Sequence, residues 1–508
     1  RNYATNYQAL LSIPTNFTIY FAGSNLKAEQ LDGALGGRLR WVNSFAGPYS
    51  GVTATNLAGD VFQVNRQLAQ STTIDSDGDG IPNASDPFPW EYSAPSIFSE
   101  PTDQTVNIGS TLSVSAVIRG ALPLKYQWYR NGVKLASGTN AVLVIPKVQF
   151  ANAGFYLVVV DNSLGSATSA AAVITVVNPY LDRSGVYSGL FGNSASYQFA
   201  SSGSAQLTVT ASGTYSGQVR IEGGAYPITG KFDFAGSNTV QVARAGKSPL
   251  ICKLVIDLVG SNTITGTVSD GVFTVPAVLD RSVFSASQPA PYEGEYTLVI
   301  PGASPVMGDG SGTVTISSTG VAMLAGVLAD GTPFTQSANV SQSGGWPVYL
   351  PLYNGKGMVI SLAQFTNSVP AILRGNAVWT KNAIGGKYYP AGFRVNSSIN
   401  GNSYVSPPTG QRVLDLINAT VTLSFGNVAP SITNSAVLGD DNVFTVTGTN
   451  DLSLTVSVSS GEVNGSFRHP VTQLMTPITG VARQGTNLVQ GHFLGTSQSG
   501  RLLLVPTP

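Results

Sequence analysis

Four stretches of this 508-residue chain alternate between apolar and polar residues: QLTVTASG (206–213), GTVTISSTG (312–320), ATVTLSFG (419–426) and LSLTVSVSSG (452–461). A period of two places the apolar side chains on one face of an extended strand. The Val, Ile and Thr residues in these stretches are favoured in strands. We therefore predict an all-β fold made of tandem β-sandwich or barrel domains.

The composition excludes several classes of protein. Charged residues make up 10% of the chain, against about 25% in an average globular protein. Lys and Arg (26) balance Asp and Glu (26), so the basic surface that nucleic-acid binding needs is missing. No apolar run reaches 18 residues, which predicts no membrane span. Hydrophobic residues at 42% provide enough material for folded cores.

Shifts in composition divide the chain into five parts. Breaks rich in Pro and small residues occur at SASQPAP (285–291), SPPTG (406–410) and NVAPSITNS (427–435). We predict a small β-rich N-terminal unit (1–72), a linker (73–90), a sandwich domain (91–178), a barrel or sandwich domain (179–288) and a β-repeat domain (289–508), the last as one unit or two divided near 408–430.

The C-terminal half contains an internal repeat. Similar stretches lie around Pro227, Pro333 and Pro477, each with a Gly, an alternating strand, a turn and a returning strand. Proline is tolerated at the first position of a strand, where no ladder donor is lost. We therefore predict a repeated β-hairpin in which Pro marks the start of the returning strand.

Residues 75–86, DSDGDGIPNASD, have the spacing of a twelve-residue calcium loop. Oxygen ligands of this kind suit Ca²⁺ rather than a transition metal. Gly80 is sixth, where such a loop turns, and an Asp replaces the usual closing Glu. The predicted ligands are the side chains of Asp75, Asp77 and Asp79, the carbonyl of Ile81, Asn83 directly or through water, and Asp86. The alternative is a solvated acidic turn.

Three resemblances extend this interpretation. The acidic loop with its trailing Pro87-Phe-Pro89 resembles the thrombospondin type 3 calcium repeat of extracellular linkers. Residues 94–177 resemble a bacterial immunoglobulin-like domain of the I-set type. The stretches GGWPVYLPLYNGKG, KYYPAGFRV and GHFLGTSQSGRLLL resemble uncharacterised β-repeats at the ends of secreted bacterial surface proteins. Together these resemblances imply a secreted, extracellular or cell-surface protein.

The immunoglobulin resemblance assigns roles to individual residues. Trp128 in YQWYRNG matches the core tryptophan, and Tyr156 in NAGFYLV matches the tyrosine corner. The family cysteines are replaced by Val158 and Ala116, which implies apolar packing in place of the disulfide. Cys252, the chain's only cysteine, is predicted to be a buried small residue.

We find no catalytic motif and predict no catalytic residues. His469 and His492 are 23 residues apart, and there is no nucleophile elbow, phosphate loop or dinucleotide fingerprint. Asp440 and Asp441 in GDDN indicate a turn. Five aromatic residues could form a sugar-binding surface or could pack in a core or interface: Trp346, Tyr349, Tyr353, Tyr388 and Tyr389.

Three functions remain open. The first is an extracellular structural protein, a cell-surface or filament-forming subunit that assembles with itself through β-strand edges and is stiffened by Ca²⁺. Low charge favours it, because sheet proteins usually keep their edges apart with charged residues. The second is an adhesin or carbohydrate-binding stalk whose partners are surface glycans. The third is a fragment of a polysaccharide-acting enzyme.

Overall fold

The computed structural model describes residues 18–21, 37–41, 52–55, 61–64, 71–75, 81–86 and 94–507. The chain forms two compact units, Arg1–Asn178 and Pro179–Pro508. Strands dominate both, as predicted for an all-β fold. Three 3-10 turns of three residues each lie at Phe150–Asn152, Leu181–Arg183 and Gln484–Thr486. Within the described ranges, no helix has the length and apolar character to cross a membrane.

The N-terminal part of the first unit contributes four short strands. β1 (Ile19–Phe21) lies within the stretch FTIYF and pairs in parallel with β2 (Leu39–Trp41). β3 (Val52–Thr55) and β4 (Val61–Val64) form an antiparallel pair.

Residues 94–177 form a two-layered sandwich. One layer has the strand order β10-β9-β12-β14-β6, with β13 beside β12, and the other contains the pairs β5-β8 and β7-β11. The strands are β5 (Ser96–Ser99), β6 (Gln104–Asn107), β7 (Leu112–Ser115), β8 (Val117–Arg119), β9 (Lys125–Arg130), β10 (Val133–Lys134), β11 (Val142–Ile145), β12 (Gly154–Asp161), β13 (Ser166–Thr168) and β14 (Ala172–Val177).

The second unit contains three eight-stranded antiparallel sheets, here called barrels 1, 2 and 3. Barrel 1 consists of β15 (Gly185–Phe191), β16 (Gly203–Val209), β17 (Thr214–Ile221), β18 (Gly224–Lys231), β19 (Ser237–Arg244), β20 (Lys247–Ile256), β21 (Thr263–Ser269) and β22 (Thr274–Ser282). Barrel 2 consists of β23 (Gly294–Ile300), β24 (Gly310–Ile316), β25 (Val321–Val327), β26 (Pro333–Asn339), β27 (Gly345–Leu352), β28 (Gly357–Phe365), β29 (Ile372–Lys381) and β30 (Phe393–Tyr404). Barrel 3 consists of β31 (Asn418–Phe425), β32 (Val428–Leu438), β33 (Phe444–Thr447), β34 (Ser453–Val456), β35 (Glu462–Arg468), β36 (Met475–Arg483), β37 (Leu488–Leu494) and β38 (Ser499–Pro506).

Each barrel closes by pairing its first strand with its eighth. Val186 lies opposite Ser282, Glu295 opposite Tyr404, and Ala419 opposite Pro506. The two edges of each sheet are strands that follow one another in sequence and pack together: β18 with β19, β26 with β27, and β33 with β34. In barrel 2, the Gln336 amide bridges this seam, because it donates to Pro347 O at 2.7 Å and accepts from Tyr349 N–H at 2.8 Å.

The repeated hairpins are present, but the predicted position of proline is correct only once. Pro333 begins β26, whereas Pro227 is the fourth residue of β18 and Pro477 the third of β36. β18 is an edge strand, and Pro477 pairs with Ser466 on one side only, because pairing with β37 begins at Ile478. At each of these positions, therefore, the missing N–H of proline removes no hydrogen bond from the β-ladder.

One predicted break is wrong. Residues 427–435 are not a linker, because nearly all of them lie in β32. A bulge between Leu423 and Phe425 of the paired strand lies opposite Pro430, and a bulge is where a strand accommodates proline. Residues 405–417, which contain the SPPTG stretch, carry no strand and separate β30 from β31.

The three barrels pack directly on one another, and each encloses its own apolar core. Barrel 1 covers an outer apolar face of barrel 2 through a cluster that includes Leu190, Tyr197, Tyr349 and Ile360. At the closing end of barrel 1, the Arg281 guanidinium donates to Asp182 O and Ser184 O, both at 2.5 Å. This arginine ties the segment before β15 to the end of β22.

Candidate functional site

The described ends of the candidate calcium loop lie side by side. The Asn83 N–H donates to Ile74 O at 2.8 Å, and the Ala84 N–H donates to Ser71 O at 2.9 Å. The Ser71 hydroxyl accepts from Ile74 N–H at 2.9 Å and so fixes the turn before Asp75. These bonds bring the first and ninth positions of the loop close together, which is the geometry that a single cation would require.

The predicted calcium ligands differ in burial, and the structure describes only some of them. Asn83 is buried, with 3% of its surface exposed, and Asp75, Ile81 and Asp86 are half-buried. Asp77 and Asp79 lie outside the described residues. Within the described residues, no group of three His, Cys, Asp or Glu side chains could hold a metal, but two of the four predicted carboxylates lie outside those residues. The calcium site therefore stays a prediction.

The full chain is expected to bind one Ca²⁺ through this loop, as measured by titration calorimetry. The double substitution Asp77→Ala/Asp79→Ala should abolish stoichiometric binding, because it removes two of the oxygen ligands on which a hard cation depends. Asp440→Ala/Asp441→Ala is the matched control, since it removes two carboxylates from a turn in barrel 3. A loop variant that still binds one Ca²⁺ per chain would show that the site has been misplaced.

Trp128 and Tyr156 occupy the core of the sandwich at 94–177. Trp128 is wholly buried, and its indole N–H donates to Asn140 O at 3.0 Å. The Tyr156 hydroxyl donates to Asn152 O at 2.7 Å, which closes the corner before β12. Val158 is wholly buried and Ala116 half-buried in the same cluster, so apolar packing replaces the family disulfide, as predicted.

A family model described as "Immunoglobulin domain" matches residues 94–162. The match lies within the sandwich at 94–177, which is an immunoglobulin-like domain. Among solved structures, the tandem Ig repeats of Dlar share 24% identity, covering 16% of this chain and 48% of that one, with a TM-score of 0.16. This chain thus spans about half the length of that structure.

A chimeric titin Z1Z2 shares 32% identity over 17% of this chain and 95% of that one, with a TM-score of 0.15. Titin M4 shares 25% identity, covering 16% of this chain and 96% of that one, also with a TM-score of 0.15. TM-scores at this level establish no common architecture for the chain as a whole. No curated protein sequence matches the chain.

The five aromatic residues considered for sugar binding pack in cores and interfaces. Trp346 is wholly buried in barrel 2, and Tyr349 is buried where barrels 1 and 2 meet. Tyr388 and Tyr389 hydrogen-bond to Gly495 O and to Ser499 of barrel 3, at 2.9 and 2.7 Å. Tyr353 donates to Asp330 at 2.6 Å inside barrel 2. These residues form no shared exposed surface.

An ion pair between a buried carboxylate and a half-buried arginine joins barrels 2 and 3. Asp309 is 1% exposed, and its carboxylate lies 3.2 Å from the Arg501 guanidinium. It also accepts from Gly302 N–H at 3.1 Å. Burial raises the pKa of Asp309, and the positive charge of Arg501 opposes that shift. No sequence pattern predicts this pair, because its members are far apart in the chain and belong to no motif.

Both histidines are structural. His469 hydrogen-bonds to Gly426 O at 3.0 Å and accepts from Val471 N–H at 3.2 Å. His492 is 4% exposed, and burial lowers its pKa to about 4. Cys252 is buried as predicted, and burial raises the pKa of its thiol to about 11. A buried thiol with so high a pKa is a poor nucleophile.

The open groove beside barrel 3 assembles no catalytic set either. Its volume is about 680 Å³, and its charged residues are Arg412, Asp415 and Asp440. Arg412 pairs with Asp440 at 2.5 Å. Asp440 and Asp441 lie in the turn between β32 and β33, where Asp441 accepts from Val443 N–H at 3.1 Å, so the turn prediction is confirmed.

Proposed function

We propose that this chain is a non-enzymatic, extracellular structural protein that serves as a subunit of a cell-surface or filamentous assembly. The observation that carries the proposal is the direct packing of the three barrels. An apolar cluster joins barrel 1 to barrel 2, and the ion pair of Asp309 and Arg501 joins barrel 2 to barrel 3. Contacts of this kind hold the three barrels in a fixed relation to one another, as expected of a structural subunit.

Two further features support a structural role. Charged residues are only 10% of the chain and the net charge is zero, so copies would approach one another without long-range repulsion. Residues 94–177 form an immunoglobulin-like domain, a fold that many cell-surface proteins share. In this proposal Ca²⁺ bound at 75–86 stiffens the linker at 73–90.

Glycan binding is the weaker alternative. An adhesin that binds sugars through stacked aromatic rings needs those rings exposed. The candidates Trp346 and Tyr349 are 0% and 2% exposed. Other copies of the chain are therefore favoured over glycans as the binding partner.

Electron microscopy of the purified full chain, in calcium and in chelator, tests the proposal. We expect ordered filaments or lattices in calcium, and shorter or more curved ones in chelator because the linker loses its ion. Dispersed single particles under both conditions would contradict assembly and would direct attention to a spacer that displays other domains.

A further inference from the structure

Assembly through strand edges requires an edge that is open. The three barrels offer none among the described residues, because the two edge strands of each sheet pack against each other within the same barrel. In barrel 2 the Gln336 amide also occupies the seam. Apart from the short two-stranded pairs β1-β2 and β3-β4, the unpaired edges of the described chain therefore lie in the immunoglobulin-like domain.

Seven strands of that domain have an edge that is unpaired in its sheet: β5, β6, β7, β8, β10, β11 and β13. Six of them carry a feature that hinders pairing with another chain. β8 is three residues long and includes Arg119, and in β7 a side chain already bonds to the carbonyl of Ser113. β5 contains a bulge between Ile97 and Ser99. β10 is two residues long and includes Lys134, and β13 has three small residues. The Gln104 amide of β6 reaches across to Ser113 O at 2.9 Å. Bulges, short strands and lysines are the usual protections of sheet edges.

β11 has no such feature. Its sequence is Val-Leu-Val-Ile, without charge, proline or a bulge. It pairs with β7 on one side, and no hydrogen bond joins its other edge to any residue in the described part of the chain. Val142 and Val144 face outward with 45% and 56% of their surfaces exposed, whereas Leu143 faces the core with 3% exposed.

We propose that β11 pairs antiparallel with β11 of a second copy of this chain, across a two-fold axis. The inference deepens the proposed function, because it names the edge through which copies would associate. Opposed residues in an antiparallel pair point to the same face, so outward valines must oppose outward valines. Centred on Leu143, the pairing sets Val142 opposite Val144 of the second copy.

The occupant is a second copy because the strand is complementary to itself. Leu143 would lie opposite its own equivalent and extend the apolar layer, and no like charges would face each other along the strand. Lys147, the nearest charged residue after β11, would lie opposite Thr139 in this register. The chain's net charge of zero adds no repulsion. The paired strands would form a continuous sheet, β7-β11-β11-β7.

Sedimentation equilibrium of the full chain tests the pairing. We expect wild type to associate reversibly and Val142→Lys/Val144→Lys to raise the dissociation constant about 100-fold, because like charges would oppose each other across the axis. Val173→Lys is the matched control. Val173 is 39% exposed but lies on β14, which already has a partner on each side, so this variant should associate as wild type does.

Cysteine trapping keeps the test independent of how well the lysine variant folds. The native Cys252 is buried, so Val142→Cys/Val144→Cys would supply the reactive thiols. Oxidation should give a covalent dimer in high yield, whereas the exposed control Val173→Cys should stay monomeric. Equal dimer yields from both would overturn the inference.

The two proposals fail in different ways. Filaments that form equally well from the lysine variant would overturn pairing through β11 and leave the structural function standing. A wild-type chain that stays monomeric in the centrifuge and dispersed in the microscope would overturn both.

Discussion

Replacing Trp128 with alanine is expected to destabilise the immunoglobulin-like domain strongly and to leave the stability of the barrels unchanged. Trp128 is wholly buried and contacts the apolar cluster that includes Val158 and Tyr156. Its removal leaves a cavity and an unpaired Asn140 carbonyl, at a cost of about 4 kcal/mol. Domains have free energies of unfolding of about 5–15 kcal/mol, so this loss removes about a quarter or more of the stability.

Limited proteolysis of the full chain measures the outcome. Cleavage should appear within 94–177, while fragments that cover 179–508 stay resistant, because the two compact units have separate cores. Phe155→Ala is the control: Phe155 is an aromatic residue in the same domain but is 59% exposed, and its loss should change stability by about 0.5 kcal/mol or less. A Trp128→Ala chain that resists protease as wild type does would contradict the assigned core.

Replacing Arg501 with methionine is expected to destabilise the barrel 2–barrel 3 interface by about 3 kcal/mol, because it leaves the Asp309 carboxylate buried without its counter-charge. Asp309→Asn should restore much of that loss in the Arg501→Met background. Removing both charges of a buried pair costs less than removing one.

Differential scanning calorimetry of the two single variants and the double variant gives the coupling free energy of the pair. Arg412→Met is the control, because its partner Asp440 is largely exposed and the pair should contribute about 0–1 kcal/mol. Strictly additive effects of Asp309→Asn and Arg501→Met would show that the two side chains do not interact in solution.

Local patterns located many strands in the sequence but could not show how the strands pair. The alternation in 206–213 and 419–426 coincides with much of β16 and β31, because each strand's inward face is buried. Barrel closure depends on β15 meeting β22, and these strands are separated by most of the barrel's length. No local pattern carries that information, since it arises from the packing of all eight strands.

Of the candidate sites, the calcium loop could be predicted from the sequence and the ion pair could not. The candidate ligands at 75–86 could be predicted from the sequence because all of them lie in one short loop. The Asp309–Arg501 pair could not, because two single residues have no spacing to recognise. The break predicted at 427–435 was wrong because proline usually ends a strand, whereas here a bulge opposite Pro430 keeps β32 continuous.

The closure of the barrels by their first and last strands has a mechanical consequence. Because those strands are antiparallel neighbours, the chain enters and leaves each barrel at the same end, and tension would peel the ladder one hydrogen bond at a time. In barrel 1, the hydrogen bonds of Arg281 would resist the separation of the first residues of this ladder. In the immunoglobulin-like domain, β6 runs parallel to β14, so tension would load that ladder all at once. Under a steady pull, the barrels would act as an extensible reserve, and the immunoglobulin-like domain would be the stiffer element.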